Sequence, residues 1–340
     1  MNKLPNFLVN VRCFTFNQSK YITDTMNGFC MQQTNFPFVC CIVDDASTDG
    51  EQEVIQKYLE ENFDLSNKSE AYRKEVDYAF ITYARHKVNR NCYFAVLFLK
   101  ENHYSKKIDK IQYLAEWRES CKYEALCEGD DYWINSSKLQ KQADILNDFE
   151  DVILVHTGFI TVDEYNNEFC WKKYNKYQKI SRAEKGLISL LDKNHIMTLT
   201  IMCRKELFDT VVYRNAPFYY DYTIFFTAAE LGKFRFLPDK YGAYRKNPNG
   251  AMQSNGGKVN RELYCVYQYF VLDLLNKKYN FQNFESRIKA YFFIYTNVFF
   301  HKDLCLCKKV VNCNPTSVFL IPFSFLFAFA KRMKAFLKNI

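Results

Sequence analysis

Over the first 160 residues, short apolar runs alternate with amphipathic stretches. Phe7–Val11, Phe38–Val43, Tyr78–Tyr83, Phe94–Leu99, Tyr123–Cys127 and Val152–His156 have the length and character of strands. Helical patterning lies between several of them, near 19–32, 50–61, 110–121 and 137–149. The last is clearest, with Leu139, Ala143, Leu146 and Phe149 at helical spacing after the cap-competent Ser136–Ser137. This alternation predicts an α/β layer around a largely parallel sheet, in which ligands gather beyond the carboxyl ends of the strands. Glu60–Glu75 is polar and reads as a surface excursion. Residues 160–250 are mixed and close on the turn-rich Lys246-Asn-Pro-Asn-Gly250. Residues 260–300 are rich in Tyr, Phe, Leu and Val and read as helices. The expected division is therefore an α/β domain over 1–250 and a helical C-terminal region over 251–340.

The chain has 340 residues, enough for about two domains. With 48% apolar and 25% charged residues and only 10 Gly, it is neither disordered nor collagen-like. The net charge of +8 is concentrated at one end. Residues 301–340 hold seven cations and one acid, which leaves +2 for the first 300 residues. A nucleic-acid binder would carry its basic stripe through the folded domain, so no nucleic-acid partner is expected. The thirteen cysteines form no CxxC pair, and MNKLPNFLVNV offers too short an apolar run for an export signal. Reduced thiols in a cytoplasm are the expectation. Cys305, Cys307 and Cys313 lack a convincing fourth partner for zinc.

The tail segment 318–330, VFLIPFSFLFAFA, is uncharged. Its thirteen residues reach about 20 Å as a helix, short of the roughly 30 Å of a bilayer core, and Pro322 weakens a spanning helix further. Beyond it, Phe329, Met333, Phe336, Leu337 and Ile340 fall at helical spacing, opposite Lys331, Arg332, Lys334 and Lys338. That pattern suits a helix lying on an anionic membrane surface, or a packed helix with a solvated basic face.

Two segments carry candidate chemistry. In Cys40-Cys-Ile-Val-Asp-Asp-Ala-Ser-Thr-Asp-Gly50 an apolar strand delivers Asp44 and Asp45 to its carboxyl end. One acid suffices to cap the following helix, so the doubled Asp favours a ligand role. In Tyr123-Glu-Ala-Leu-Cys-Glu-Gly-Asp-Asp-Tyr-Trp133 the acids Glu128, Asp130 and Asp131 gather within four residues. Acids this close repel one another, and a hard divalent cation shared with substrate phosphates would relieve them. Upstream, Val11-Arg-Cys-Phe-Thr-Phe-Asn17 ends the first strand in aromatics and Asn.

The blocks VRCFTFNQSKYI, CCIVDDASTDG and YEALCEGDDYWINSSKLQKQADIL, in this order and spacing, resemble the inverting glycosyltransferases of family 2, which have the GT-A fold. The similarity reaches about residue 250 and is nearest to bacterial enzymes of capsular and O-antigen polysaccharide synthesis. The resemblance implies a nucleotide-sugar donor, a UDP-sugar foremost, with Phe14, Phe16 and Asn17 near the base and Asp45 on the nucleoside side. It places Asp130 and Asp131 at ribose, diphosphate and a Mg²⁺ or Mn²⁺ ion. Many members have Tyr where Phe16 stands, and Glu128 stands where Asp is common. The general base corresponds to Asp221, which precedes a helical run and could equally cap it. Arg245 stands where relatives carry a Tyr-Arg pair and could reach the diphosphate or form a surface ion pair. His195 could line an acceptor cleft or be a buried structural residue. The implied acceptor is a glycan or lipid-linked glycan, and the implied location is the cytoplasmic face of the cell membrane. Two rivals are a catalytically degenerate scaffold in a polysaccharide assembly complex and a sugar nucleotidyltransferase. The second usually needs a glycine-rich loop near the N-terminus, and Leu8–Tyr21 has no glycine.

Overall fold

The computed structural model describes residues 4–170, 186–192, 194–248, 250, 256–281 and 283–336. The chain folds into two compact units. The first takes 1–184, 196–210 and 231–250, and the second takes 185–195, 211–230 and 251–340. Segments 185–195 and 211–230 precede residue 250 in the sequence, yet they pack within the second unit.

The first unit holds one mixed sheet. Its centre is four parallel strands in the order β6 (Cys92–Leu99), β2 (Phe38–Asp44), β1 (Val9–Thr15) and β7 (Tyr123–Leu126). These strands are buried along almost their whole length because both faces are covered, so their sequences read as near-continuous apolar runs. Val9, Val11, Cys13, Phe38, Cys40 and Ile42 join one core with Ile22, Met26 and Phe29 of α1 (Ile22–Cys30), Ile55 and Leu59 of α2 (Glu51–Asn62), and Leu139, Ala143 and Leu146 of α4 (Lys138–Asp148). Val39, Cys41, Val43, Ala95 and Leu97 face a second core around Trp117 of the short α3 (Ala115–Arg118).

The flanks depart from the parallel expectation. β5 (Ala79–His86) is antiparallel to β6 and pairs with β3 (Phe63–Asp64) and β4 (Tyr72–Glu75). The polar 60–75 stretch therefore forms edge strands, where charged residues are tolerated. On the other side β10 (Met202–Arg204) runs antiparallel between β7 and β9 (Val152–Val162). β11 (Lys233–Arg245) then pairs parallel to β9 and antiparallel to β8 (Tyr132–Trp133). β11 is long, yet Pro238, Asp239 and Lys240 interrupt its apolar pattern where the register slips.

The second unit is helical: α5 (Gly186–Asp192), α6 (Val211–Arg214), α7 (Asp221–Leu231), α8 (Gly256–Asn276), α9 (Phe284–His301), α10 (Leu304–Cys313) and α11 (Ile321–Phe336). Pro322 does not break α11. It lies in the first turn, where a backbone N–H has no intrahelical partner to lose. With the turn before it, residues 315–334 are long and apolar enough to cross a membrane by length and composition. Leu337, Lys338 and Ile340 lie outside the described residues. All thirteen cysteines are free, and among the described residues no three His, Cys, Asp or Glu side chains converge to hold a metal.

Candidate active site

The carboxyl ends of β2, β1 and β7 lie side by side, and each delivers acids or hydroxyls to the same rim. After β1 and β2 the chain makes two tight turns that interlock. Asn17 and Ala46 adopt positive φ values of 54° and 61°, and Gly50 one of 88°. Asn17 Oδ1 accepts from Thr48 N at 2.8 Å, and its own N–H donates to Ser47 Oγ at 2.9 Å. Asn17 thus fixes the turn, while Phe16 beside it is 44% exposed.

Glu51, which carries no signal in the sequence, organises this rim. Its buried carboxylate bonds the Thr15 hydroxyl and accepts from Gln18 N and Ser47 Oγ at 2.8 and 2.9 Å. It opens α2, where the helix dipole favours a negative charge. Burial raises its carboxyl above the ordinary value, against the pull of these donors.

The doubled Asp divides its labour. Asp45 is fully buried and both oxygens are engaged. His103 N donates to Oδ1 at 2.7 Å, and Tyr104 N and Lys110 Nζ donate to Oδ2 at 3.0 and 2.7 Å. Asp45 therefore holds the 102–110 loop against the end of β2. Lys110 Nζ lies 5.0 Å from the centre of the half-buried Phe14 ring. Asp44 is different: Oδ1 accepts from Ser47 N and Gln52 Nε2 at 3.1 and 2.5 Å, but Oδ2 is buried with no hydrogen-bond partner. Burial raises its carboxyl, and the neighbouring Asp45 adds to the rise.

At the end of β7, Glu128-Gly-Asp-Asp131 turns across β1. A Cβ on Gly129 would collide with Thr15 and Gln18, so only glycine lets the two strand ends pass this closely. Asp131 is 4% exposed, and its Oδ1 accepts from Arg245 N at 2.8 Å. Burial lifts its carboxyl well above the usual range, with repulsion from Asp130 and Glu128 adding to the lift. Asp130 is partly buried, accepts from Asn247 Nδ2 at 2.9 Å, and is also raised by desolvation.

Arg245 sits in this cluster as a brace. Its Nε donates to Asp130 O at 2.9 Å, Nη1 to Asn166 Oδ1 at 2.7 Å and Nη2 to Asp24 Oδ2 at 2.8 Å. The guanidinium lies 4.5 and 5.2 Å from the ring centres of Tyr21 and Tyr132. It is buried, so it is not an ordinary surface ion pair. Asn247, Asn166 and Asp24 give no sequence signal, because they reach the cluster from distant points in the chain.

The second unit contains Asp221 as the first residue of α7. Its Oδ2 accepts from Asn194 Nδ2 at 2.9 Å, its Oδ1 accepts from Tyr222 N at 2.7 Å, and burial raises its carboxyl. His195 is buried, with Nε2 3.4 Å from Ser189 Oγ.

The residues present suit a divalent cation of which the protein supplies a minority of ligands. Asp130, partly buried, and Asp131, buried, are adjacent carboxylates whose charges repel, and no third metal-ligating side chain converges with them among the described residues.

A parallel-centred sheet with acids at the ends of β2 and β7 and an antiparallel strand inserted beyond β7 defines an α/β fold of the GT-A type. Residues 14–93 match the family described as glycosyl transferase family 2. Among solved structures it is similar to S. aureus TarS 1-349 in complex with UDP-GlcNAc. The TM-score is 0.52 and the identity 17%, over 93% of this chain and 82% of that one. The same protein with UDP gives a TM-score of 0.51 at 15% identity, over 98% and 92% of the two chains. Among curated proteins, Rv1520 of Mycobacterium tuberculosis (strain ATCC 25618 / H37Rv) is 24% identical over 249 residues, 72% of this chain. The match spans 61% of the length of that relative.

Proposed function

We propose that the protein is an inverting glycosyltransferase that moves a sugar from a nucleotide-sugar donor, a UDP-sugar foremost, to a glycan or lipid-linked glycan in cell-surface polysaccharide synthesis. The reading is carried by the raised, clustered acids Asp130 and Asp131 at the end of β7, one strand away from the acid-bearing end of β2, in a chain whose residues 14–93 match family 2. The UDP and UDP-GlcNAc bound by TarS, which shares the fold, support the donor class.

Each group has a defined task in this reading. Asp45, at the end of β2, stands on the nucleoside side, and Phe14, Phe16 and Asn17 lie near the base. Asp45 acts by holding the 102–110 loop beside it, a positioning role. Asp130 and Asp131 would hold a Mg²⁺ or Mn²⁺ ion, which supplies neutralising charge for the leaving diphosphate. Arg245 braces the loop from behind, through its backbone N–H on the Asp131 carboxylate and its Nε on the Asp130 carbonyl, and Asn247 holds the Asp130 carboxylate. Asp221 takes the proton of the acceptor hydroxyl as it attacks the anomeric carbon from the face opposite the diphosphate. Its elevated pKa suits a base that must hold a proton after transfer. The enzyme would work on the cytoplasmic face of a membrane, with its C-terminal region on the lipid.

Thermal stabilisation by a panel of nucleotides and nucleotide sugars, with and without Mn²⁺, tests the donor half of this reading. A metal-dependent shift for one nucleotide, lost in Asp131→Asn, is the expected result. No shift with any ligand in the folded wild type would favour the scaffold.

A further inference from the structure

Helix α11 of the second unit is built inside out. From Ser317 onward the buried positions are Ser317, Leu320, Ser324 and Ala328, three of them small. Polar ties to α9 run along this line: Tyr295 OH lies 2.7 Å from Ser317 Oγ, Ser324 Oγ donates to Phe292 O at 3.3 Å, and Arg332 Nε donates to Phe300 O at 2.9 Å. At its edges Phe325 and Phe327 lean on Phe299 and Phe292, with ring centres 5.6 and 5.5 Å apart. The other large apolar side chains point away from α9. Phe319, Phe323, Leu326, Phe329 and Met333 are between 44% and 66% exposed. At 100° per residue the four of these within α11 itself span about 120° of the helix circumference. A helix folding for water alone would turn its aromatic stripe inward. Small residues against a neighbouring helix and bulky apolar ones outside are the pattern of helices that meet hydrocarbon. A contiguous apolar patch of this kind marks an interaction surface.

The charge of the same C-terminal segment selects the patch's occupant. From 304 to 340 the chain has six Lys or Arg and no Asp or Glu. Lys331 is tied to Asp192 at 3.0 Å, whereas Lys308, Lys309 and Lys334 are exposed. Two copies meeting through this face would bring like charges together. An anionic lipid surface attracts the same charges. Segment 315–334 is apolar enough to cross a bilayer, but α9 covers its inner side from Phe292 to Phe300. The first turns of α9 carry Glu285, Arg287 and Lys289, which do not belong in hydrocarbon.

We infer that α11 is an in-plane membrane-docking helix. Its outer aromatic face enters the interface of an anionic leaflet, and Lys308, Lys309 and Lys334 meet the lipid headgroups. This deepens the membrane setting of the proposed function and is independent of the transfer chemistry.

The test is flotation of the full chain with vesicles of phosphatidylcholine alone or with one third phosphatidylglycerol. Wild type floats with the anionic vesicles, and less so as salt rises. The exposed-face variant Phe323→Ser/Leu326→Ser partitions at least about tenfold less. The variant Lys308→Ser/Lys309→Ser/Lys334→Ser loses about tenfold on anionic vesicles and nothing on neutral ones. Unchanged flotation of the Phe323→Ser/Leu326→Ser variant, or no flotation of wild type, overturns the inference. A wild-type dimer in sedimentation that this variant dissolves would also overturn it, by assigning the face to a second copy. Thermal shift with UDP on every variant checks the fold and reads the donor site separately, so a failure of either proposal is seen on its own.

Discussion

The ends of β2 and β7 each bury an aspartate, and the two could hardly be treated more differently. Asp45 is met by two backbone N–H groups and an ammonium, so its charge is fully answered within the protein. Asp131 has one N–H on its carboxylate and two acidic neighbours, and its proton is held far more tightly than usual. The same side chain is thus a structural tie in one turn and an unanswered charge in the next. Burial alone does not distinguish the two roles; the count of donors does.

The contrast is broken or kept by a pair of substitutions. Asp131→Asn should lower the rate of sugar transfer by about 10²–10³-fold while leaving the metal-free melting temperature unchanged or higher, since it removes repulsion. Asp45→Asn should do the reverse. It leaves Lys110 without its partner at a mostly buried site and should cost roughly 3–5 kcal/mol in urea denaturation. Equal destabilisation by the two changes would erase the distinction.

Next in size is a pH effect with a defined sign. Asp130 and Asp131 have folded pKa values raised above those of the unfolded chain, so the folded state binds their protons more tightly. That stabilisation is fully present below the ordinary carboxylate value of about 4 and is lost as pH rises through the elevated folded values. Metal-free wild type should therefore lose stability relative to Asp131→Asn as pH rises from about 4, and Mn²⁺ should restore it. A wild-type minus variant difference that is flat in pH would show that Asp131 is not held protonated.

A smaller shift should mark Asn194. Its Nδ2–H stabilises the ionised Asp221 and so lowers a pKa that burial has raised. Asn194→Ala should move the acid limb of kcat/KM to higher pH and leave donor affinity unchanged. An acid limb that stays in place would remove Asn194, or Asp221, from the proton path.

Much of this is legible in the sequence, and what is not has common causes. The four central strands and the helices between them declare themselves because both faces of the sheet are buried, so the apolar runs have few polar interruptions. The acid pairs are visible as clusters at strand ends. Hidden from the sequence are the partners that decide what each acid does. Lys110 comes from a loop 65 residues beyond Asp45, and Asn247 lies 117 beyond Asp130. Arg245 is recognisable as a position, but its burial between Tyr21 and Tyr132 depends on β11, whose pattern is broken by Pro238 and two charged residues. The tail reads as amphipathic from Phe329 onward, whereas the exposed apolar face begins ten residues earlier at Phe319, because Ser324 and Ala328 rather than the phenylalanines are buried there.

The subtlest prediction concerns Lys138, which supplies the opposite sign to the acid loop a few residues before it. Its ammonium is fully buried, 2.8 Å from Gln142 Oε1, 3.5 Å from Ile201 O and 4.3 Å from the centre of the Trp133 ring. No carboxylate pairs with it among the described residues, and desolvation brings its pKa down to about 7. The unfolded chain keeps this proton up to the ordinary lysine value near 10.5. Between those limits the unfolded state binds more protons, so this group makes stability rise with pH from about 7 and disfavours the fold below it. Lys138→Met keeps the volume and deletes the charge. It should be more stable than wild type at pH 6, and the advantage should shrink steadily toward pH 10. Parallel stability curves for the two proteins would mean that the amine stays charged in the core, held by Gln142 and the indole face, and that Lys138 carries no pH dependence of its own.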